Sequence, residues 1–356
     1  MRKLIAFVAL ITGTLSFTAC ETDFSLNGDY EIQPIVFGLI DHTDDVHLIK
    51  ITKAFLGDGD NLVYAQNPDS NYFNQVDGKV IEFLDGEATG REWVLTDTII
   101  ATKDADGLFY GPEQKIYKFY ADDLDSSATY NLELEIENGA HQVTGTTELI
   151  SRFKTSKSGL EISPVFKLTF APSTVSEDDD YSKWVFGITE GKNAAAYTFF
   201  YSMRYQEEYA DASTQNFEIT HNFYETEQDK PQTPSSQQVN VDGLDFYTWV
   251  EGEILPDPNV VRRRFIGIDF KIGVAHYEFQ QYMDVSQPVT GIAQVQPEFT
   301  NLTGARGLFS SRIIMDINNF LLDGNSMEQL CVGLHTGGLA FKSDYPEHMG
   351  ENFYAP

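Results

Sequence analysis

Cysteine is nearly absent from this sequence of 356 residues: Cys20 and Cys331 are the only two. A small disulfide-stapled scaffold is therefore excluded, and stability has to come from an apolar core. Basic residues are also scarce, 24 against 54 acidic ones, for a formal net charge of −30. A surface of that sign repels nucleic acid and anionic lipid, which argues against both as partners. The acids are spread along the chain rather than gathered in a tail, the pattern of a solvated exterior, with divalent-cation binding as the alternative use. Beyond residue 17 no stretch approaches the roughly 18 uninterrupted apolar residues of a membrane helix. His-Glu-x-x-His, Gly-x-Ser-x-Gly, phosphate-binding glycine loops and Cys-x-x-Cys are all missing, so no familiar motif class of enzyme is indicated and no cofactor is implied. Glycosidase-type carboxylates escape this argument, because they pair in space and not in sequence.

What the chain does have begins at its start. Met1-Arg2-Lys3, an apolar run from Leu4 to Phe17 and the small residues Thr18-Ala19 before Cys20 make a secretory signal over residues 1–19. Leu15-Ser-Phe-Thr-Ala-Cys20 resembles a lipobox, with Phe17 where Leu is commonest, and it predicts an acylated Cys20 as the first mature residue. Several acyl chains hold a protein stably on a membrane where a single one does so only marginally. Cys331 then has no partner and reads as a small buried apolar residue. Losing Arg2 and Lys3 leaves 22 basic against 54 acidic residues, about −32. Residues 20–30 read as a tether. Glu21 and Asp23 resemble the acidic signals that send lipoproteins to the outer face of an outer membrane, with a periplasm-facing location as the alternative.

From Pro34 short β-type runs dominate and predict an all-β protein. In Leu48–Phe55, Ile49 and Ile51 alternate with Lys50 and Thr52. Tyr130, Leu132, Leu134 and Ile136 alternate with Asn131, Glu133, Glu135 and Glu137; Asn138-Gly139 follows as a type I′ turn, then a Val/Thr-rich strand. Leu124 stands six residues before Tyr130, the spacing of a tyrosine corner, so residues 31–150 read as an Ig-like or fibronectin type III-like β-sandwich. Residues 151–160 read as a linker. Residues 161–356 read as a second β-rich domain with one or two short helices, from alternation over Phe199–Tyr205 and Ile266–Ile272. The predicted helices are Gly243–Leu255, and a short one opened by a capping box at Ser326-Met-Glu-Gln329.

Candidate sites are few. Asp41, His42, Asp44, Asp45 and His47 could converge on a divalent ion, or form an ordinary polar hairpin loop. Asp58 and Asp60 suggest calcium, but Val63 stands where an EF-hand needs Gly and Asp69 where it needs Glu, so a turn is the other reading. Arg262-Arg263-Arg264 could bind a carboxylate ligand or an acidic loop such as Ser176–Asp180, or be solvated at a strand's start. Trp93, Trp184, Trp249 and the tyrosines could stack on sugars, or lie in the core.

Pro34–Ile40 with Ile49–Leu56, Asn67-Pro-Asp-Ser70, and the late pair Gln296–Leu302 and Gly307–Arg312 together resemble surface lipoproteins of Bacteroidota that carry a domain of unknown function. The resemblance implies an outer-membrane protein encoded beside TonB-dependent receptors, and it supplies no catalytic residue. The expected function is thus a non-enzymatic accessory or ligand-capture lipoprotein for a glycan or peptide, working with such a receptor. An adhesion or envelope-structural module is the second expectation and a glycan- or peptide-acting hydrolase the third.

Overall fold

Alternation builds the first eight strands. In β2 (Val46–Lys53) and β7 (Thr129–Ile136) every second side chain is buried, so one face of each makes core. With β1 (Pro34–Ile40), β6 (Gln114–Tyr120) and β5 (Thr96–Ile100), strand β2 forms the order β1-β2-β6-β5. β4 (Glu87–Val94), β3 (Val76–Leu84), β7 and β8 (His141–Glu148) form the facing order β4-β3-β7-β8. These are the two sheets of an Ig-like sandwich, with first, second, sixth and fifth strands on one side. Val36, Ile49, Ile51, Phe119, Tyr130, Leu132 and Val143 fill the space between them. The computed structural model describes residues 32–54, 61–101, 110–111, 113–172, 174–227, 236–287 and 298–345.

Tyr130 makes the predicted corner: its hydroxyl lies 3.2 Å from the Asp125 carbonyl and 3.0 Å from Glu82 Oε2. The β7–β8 hairpin also forms, but its loop is four residues, Glu137 to Ala140, and not a two-residue turn. Glu137, Asn138 and Gly139 all have positive φ. Between β2 and β3 lie α1 (Asn61–Ala65) and α2 (Pro68–Asn71), the latter capped by Asn67.

The second half is built on long strands. β11 (Ala194–Tyr209), β12 (Thr214–Glu227) and β14 (Val260–His276) pair antiparallel, and β9 (Lys154–Ser156), β10 (Lys183–Thr189) and β13 (Ser236–Asp242) form a separate small sheet. Trp184, Phe199, Tyr201, Phe270 and Phe320 lie in the core they share with α3 (Gly243–Glu253) and α5 (Gly324–Val332). Trp249 packs against that core and Trp93 against the sandwich core, both half-buried. The linker expected at 151–160 thus contains β9.

Two local expectations need correction. Ile266 is 38% exposed while Phe265 is buried, because the register between β11 and β14 slips at Arg204/Tyr205 and turns Ile266 out of phase with Ile268. The cap of α5 is Asp323, whose carboxylate accepts from Ser326 N. Ser326 itself is inside the helix, its buried hydroxyl accepting from Phe170 N at 2.8 Å. Helix α4 (Tyr277–Ser286) has no counterpart in the sequence reading.

One strand unites the halves. The first part of β16 (Arg306–Phe320) pairs parallel with β1, from Ile35↔Arg306 to Ile40↔Ser311. Its second part pairs antiparallel with β14, from Arg312↔Ala275 to Phe320↔Ile268. A nine-stranded sheet results, which also includes β17 (Phe341–Lys342) beside β14. Just before β16, β15 (Leu302–Thr303) pairs with β8 on the opposite sheet. Residues 302–311 therefore cover one edge of each sheet, β1 and β8, and the sandwich expected from residues 31–150 is extended by a segment about 150 residues later. No described helix is long and apolar enough to cross a membrane.

Candidate functional site

Strand alternation leaves a second, outward face on the β1-β2-β6 sheet. Its side chains are Ile35, Phe37 and Leu39 from β1, Val46, Leu48 and Lys50 from β2, and Ile116, Lys118 and Tyr120 from β6. None is acidic, in a chain with 54 acids. Helix α4 crosses this face at the β1–β16 seam, and Tyr282 meets Phe37 edge to face at 5.4 Å. The contact divides the seam into two clefts of about 230 and 250 Å³.

The first cleft, beside Val285 and Phe299, holds Arg306, which is paired with Glu298 at 2.7 Å. The second is walled by Leu39, Val46, Leu48, Ile116, Phe279 and Leu308, with Lys50, Asp44 and Arg312 at its margins. Neither Lys50 nor Arg312 has an ion pair or side-chain hydrogen bond among the described residues, and Arg312 Nε is buried without a partner. Burial and the neighbouring Asp41 hold the Asp44 carboxyl above the usual carboxylate range, while Arg312 pulls it the other way.

The sequence candidates around this loop serve the fold. Asp41 is buried; Oδ1 accepts from Thr43 N and Oγ1, and Oδ2 accepts from Ile314 N at 2.9 Å, tying the β1–β2 loop to β16. His47 donates from Nε2 to the Ala121 carbonyl at 2.9 Å and packs on Phe119. Burial lowers the proton affinity of His42, whose Nδ1 has no partner. The Asp45 carbonyl accepts from Ala121 N. Among the described residues no three His, Cys, Asp or Glu side chains gather as a metal site. Asp58, Asp60, the signal, Cys20, Glu21, Asp23 and the rest of the tether lie outside the described residues.

No family model matches the chain, and no curated protein matches it.

The arginine run is consumed internally. Arg262 pairs with Glu208, Arg263 with Glu207 and the Leu339 and Leu255 carbonyls, and Arg264 with Asp344. None of the three meets Ser176–Asp180. That acidic turn folds on itself, with Asp180 accepting from Ser176 and Glu177, while its Asp178 reaches His335.

One constellation the sequence did not suggest is Ser310, His276 and Glu278. Ser310 Oγ lies 3.4 Å from His276 Nδ1 and Glu278 Oε2 lies 4.0 Å from the same nitrogen. A hydrolytic triad puts nucleophile and carboxylate on opposite ring nitrogens, with the nucleophile open to substrate. Here Nδ1 already accepts from Glu278 N as the cap of α4, and Ser310 is fully buried. Burial lowers the His276 pKa to about 4, keeping the ring neutral and able to accept. Asn301 bonds Glu278 Oε2 and both backbone groups of Phe309, so this cluster fastens α4 and β15 to β16.

Proposed function

We propose that the protein is a non-enzymatic accessory or ligand-capture lipoprotein, held by lipid on Cys20 at the outer membrane and working with a TonB-dependent receptor. The observation that carries this reading is the open apolar groove at the β1–α4 seam. It lies where two parts of the chain meet, the kind of place where small ligands are usually held, and it brings cations with no ion pair among the described residues to an otherwise acidic molecule. The His, Asp and Ser groups around it are occupied by fold-maintaining bonds. The lipobox supports the anchor, and the resemblance of Gln296–Leu302 and Gly307–Arg312 supports the receptor as partner. Tethering to the same membrane raises the effective concentration of such a partner, so a weak contact suffices.

Crosslinking in native envelopes, followed by extraction and mass spectrometry, tests the proposal; a large β-barrel receptor is the expected product, in the surface-exposed fraction. Crosslinks only to self or to envelope polymers would replace it with the adhesion or structural reading. Turnover of a glycan or peptide, stopped by a single carboxylate substitution, would replace it with a hydrolase. Cys20→Ser is expected to abolish acylation and release the chain from the membrane fraction.

A further inference from the structure

We propose that the cleft between β2 and α4 binds a small amphipathic carboxylate, an acid group on an apolar tail. The inference rests on reading the groove as the capture site and names its ligand class. The tail side is set by Phe37, Leu48, Phe279 and Tyr282, with Leu48 43% and its strand neighbour Val46 40% exposed at outward positions of β2. An apolar side chain left at an outward position loses burial that a ligand's tail would restore.

The head side is set by charge. Arg306, across the Phe37–Tyr282 contact, is neutralised by Glu298, whereas Arg312 and Lys50 have no ion pair or side-chain hydrogen bond among the described residues. Guanidinium presents a planar fork that matches a carboxylate, and its buried Nε without a partner is a donor still to be satisfied. Asp44 is the one acid at the margin, and it lies beyond ion-pair distance of both cations. Two cations against one acid favour an anionic head. At about 250 Å³ the cleft suits a short tail and excludes a bulky oligomer from full burial.

The test is titration calorimetry of the chain from Glu21 onward, which contains every described residue, with octanoate below its micellar range and octanol as the uncharged comparator. Saturable octanoate binding is expected, at least about tenfold tighter than octanol. Arg312→Gln combined with Lys50→Gln should remove that preference and leave octanol binding unchanged. Leu48→Glu should abolish both, with melting temperatures verifying that each variant is folded. Absence of saturable octanoate binding, equal affinity for octanol, or an undiminished preference in the double variant would each overturn the proposal. Octanoate failing while the receptor crosslink persists removes the ligand class alone; the reverse pattern removes the receptor alone.

Discussion

Tyr130 shows how much one hydroxyl can carry. It bonds the Asp125 carbonyl to set the corner and Glu82 to join a buried carboxylate that Arg91 and Thr89 also hold. Tyr130→Phe removes a donor from a carboxylate that is 4% exposed, so a loss of about 2 kcal/mol in urea unfolding is expected, against about 1 for a neutral bond. An unchanged midpoint would show that the phenol is dispensable. Gly307 is a sharper case. Its φ is +109, and a Cβ there would sit 2.0 Å from the Val36 carbonyl oxygen. Gly307→Ala should destabilise by at least about 3 kcal/mol, because backbone strain and overlap fall on the same peptide. The same unfolding measurement checks it.

Among the elements, α4 has a cap that responds to pH. With its native pKa near 4, His276 binds its proton less readily folded than unfolded, so between about pH 6.5 and 4 the unfolded state holds more protons. Stability contributed by the neutral ring is present above the unfolded value and declines as pH falls, by up to about 3 kcal/mol once both states are protonated. Glu278 acts the other way: burial raises its pKa, so its cost in the folded state is relieved as pH falls. Comparing urea midpoints at pH 7 and 4.5 should show a smaller acid loss in His276→Gln than in the native chain. An equal loss in both would clear His276 of the effect.

The elements also show which parts of the fold were legible. The β7–β8 hairpin, the Tyr130 corner and α3 announce themselves locally, through alternation, turn chemistry and a following proline. Helix α4 does not, because it follows β14 without a break and its cap is a histidine. Ser326 resembles a cap because a hydroxyl three residues before Gln329 fits a capping box, whereas the backbone turns three residues earlier at Asp323. At the groove, the sequence pointed to the loop holding Asp44 as a polar hairpin loop or a metal candidate, and carried no sign of the cleft beside it. The groove depends on Arg312 and Phe279, more than 230 residues away, and no local pattern announces a parallel pairing between β1 and β16.

At the scale of the whole molecule, β16 belongs to both cores: Phe309 packs in one and Ile313 and Phe320 in the other. Unfolding either half strips a strand from its neighbour, so a single cooperative transition is expected. Trp93 reports on the first core and Trp184 on the second, which makes the test direct. Variants retaining Trp93 alone or Trp184 alone, with Trp249 also replaced, should melt at the same denaturant concentration; separate midpoints would mean that the halves unfold independently.

The shared strand also decides how the molecule meets a pull. Tension between a tether at the start of β1 and a load on the far end of β16 would draw two parallel strands in opposite directions. Their ladder, from Ile35↔Arg306 to Ile40↔Ser311, would then be strained along its whole length at once and could not peel open pair by pair. Asp41 adds a lock one residue past the ladder, on Ile314. Between those two ends the ladder is a mechanical clamp, which passes force from one core to the other without opening.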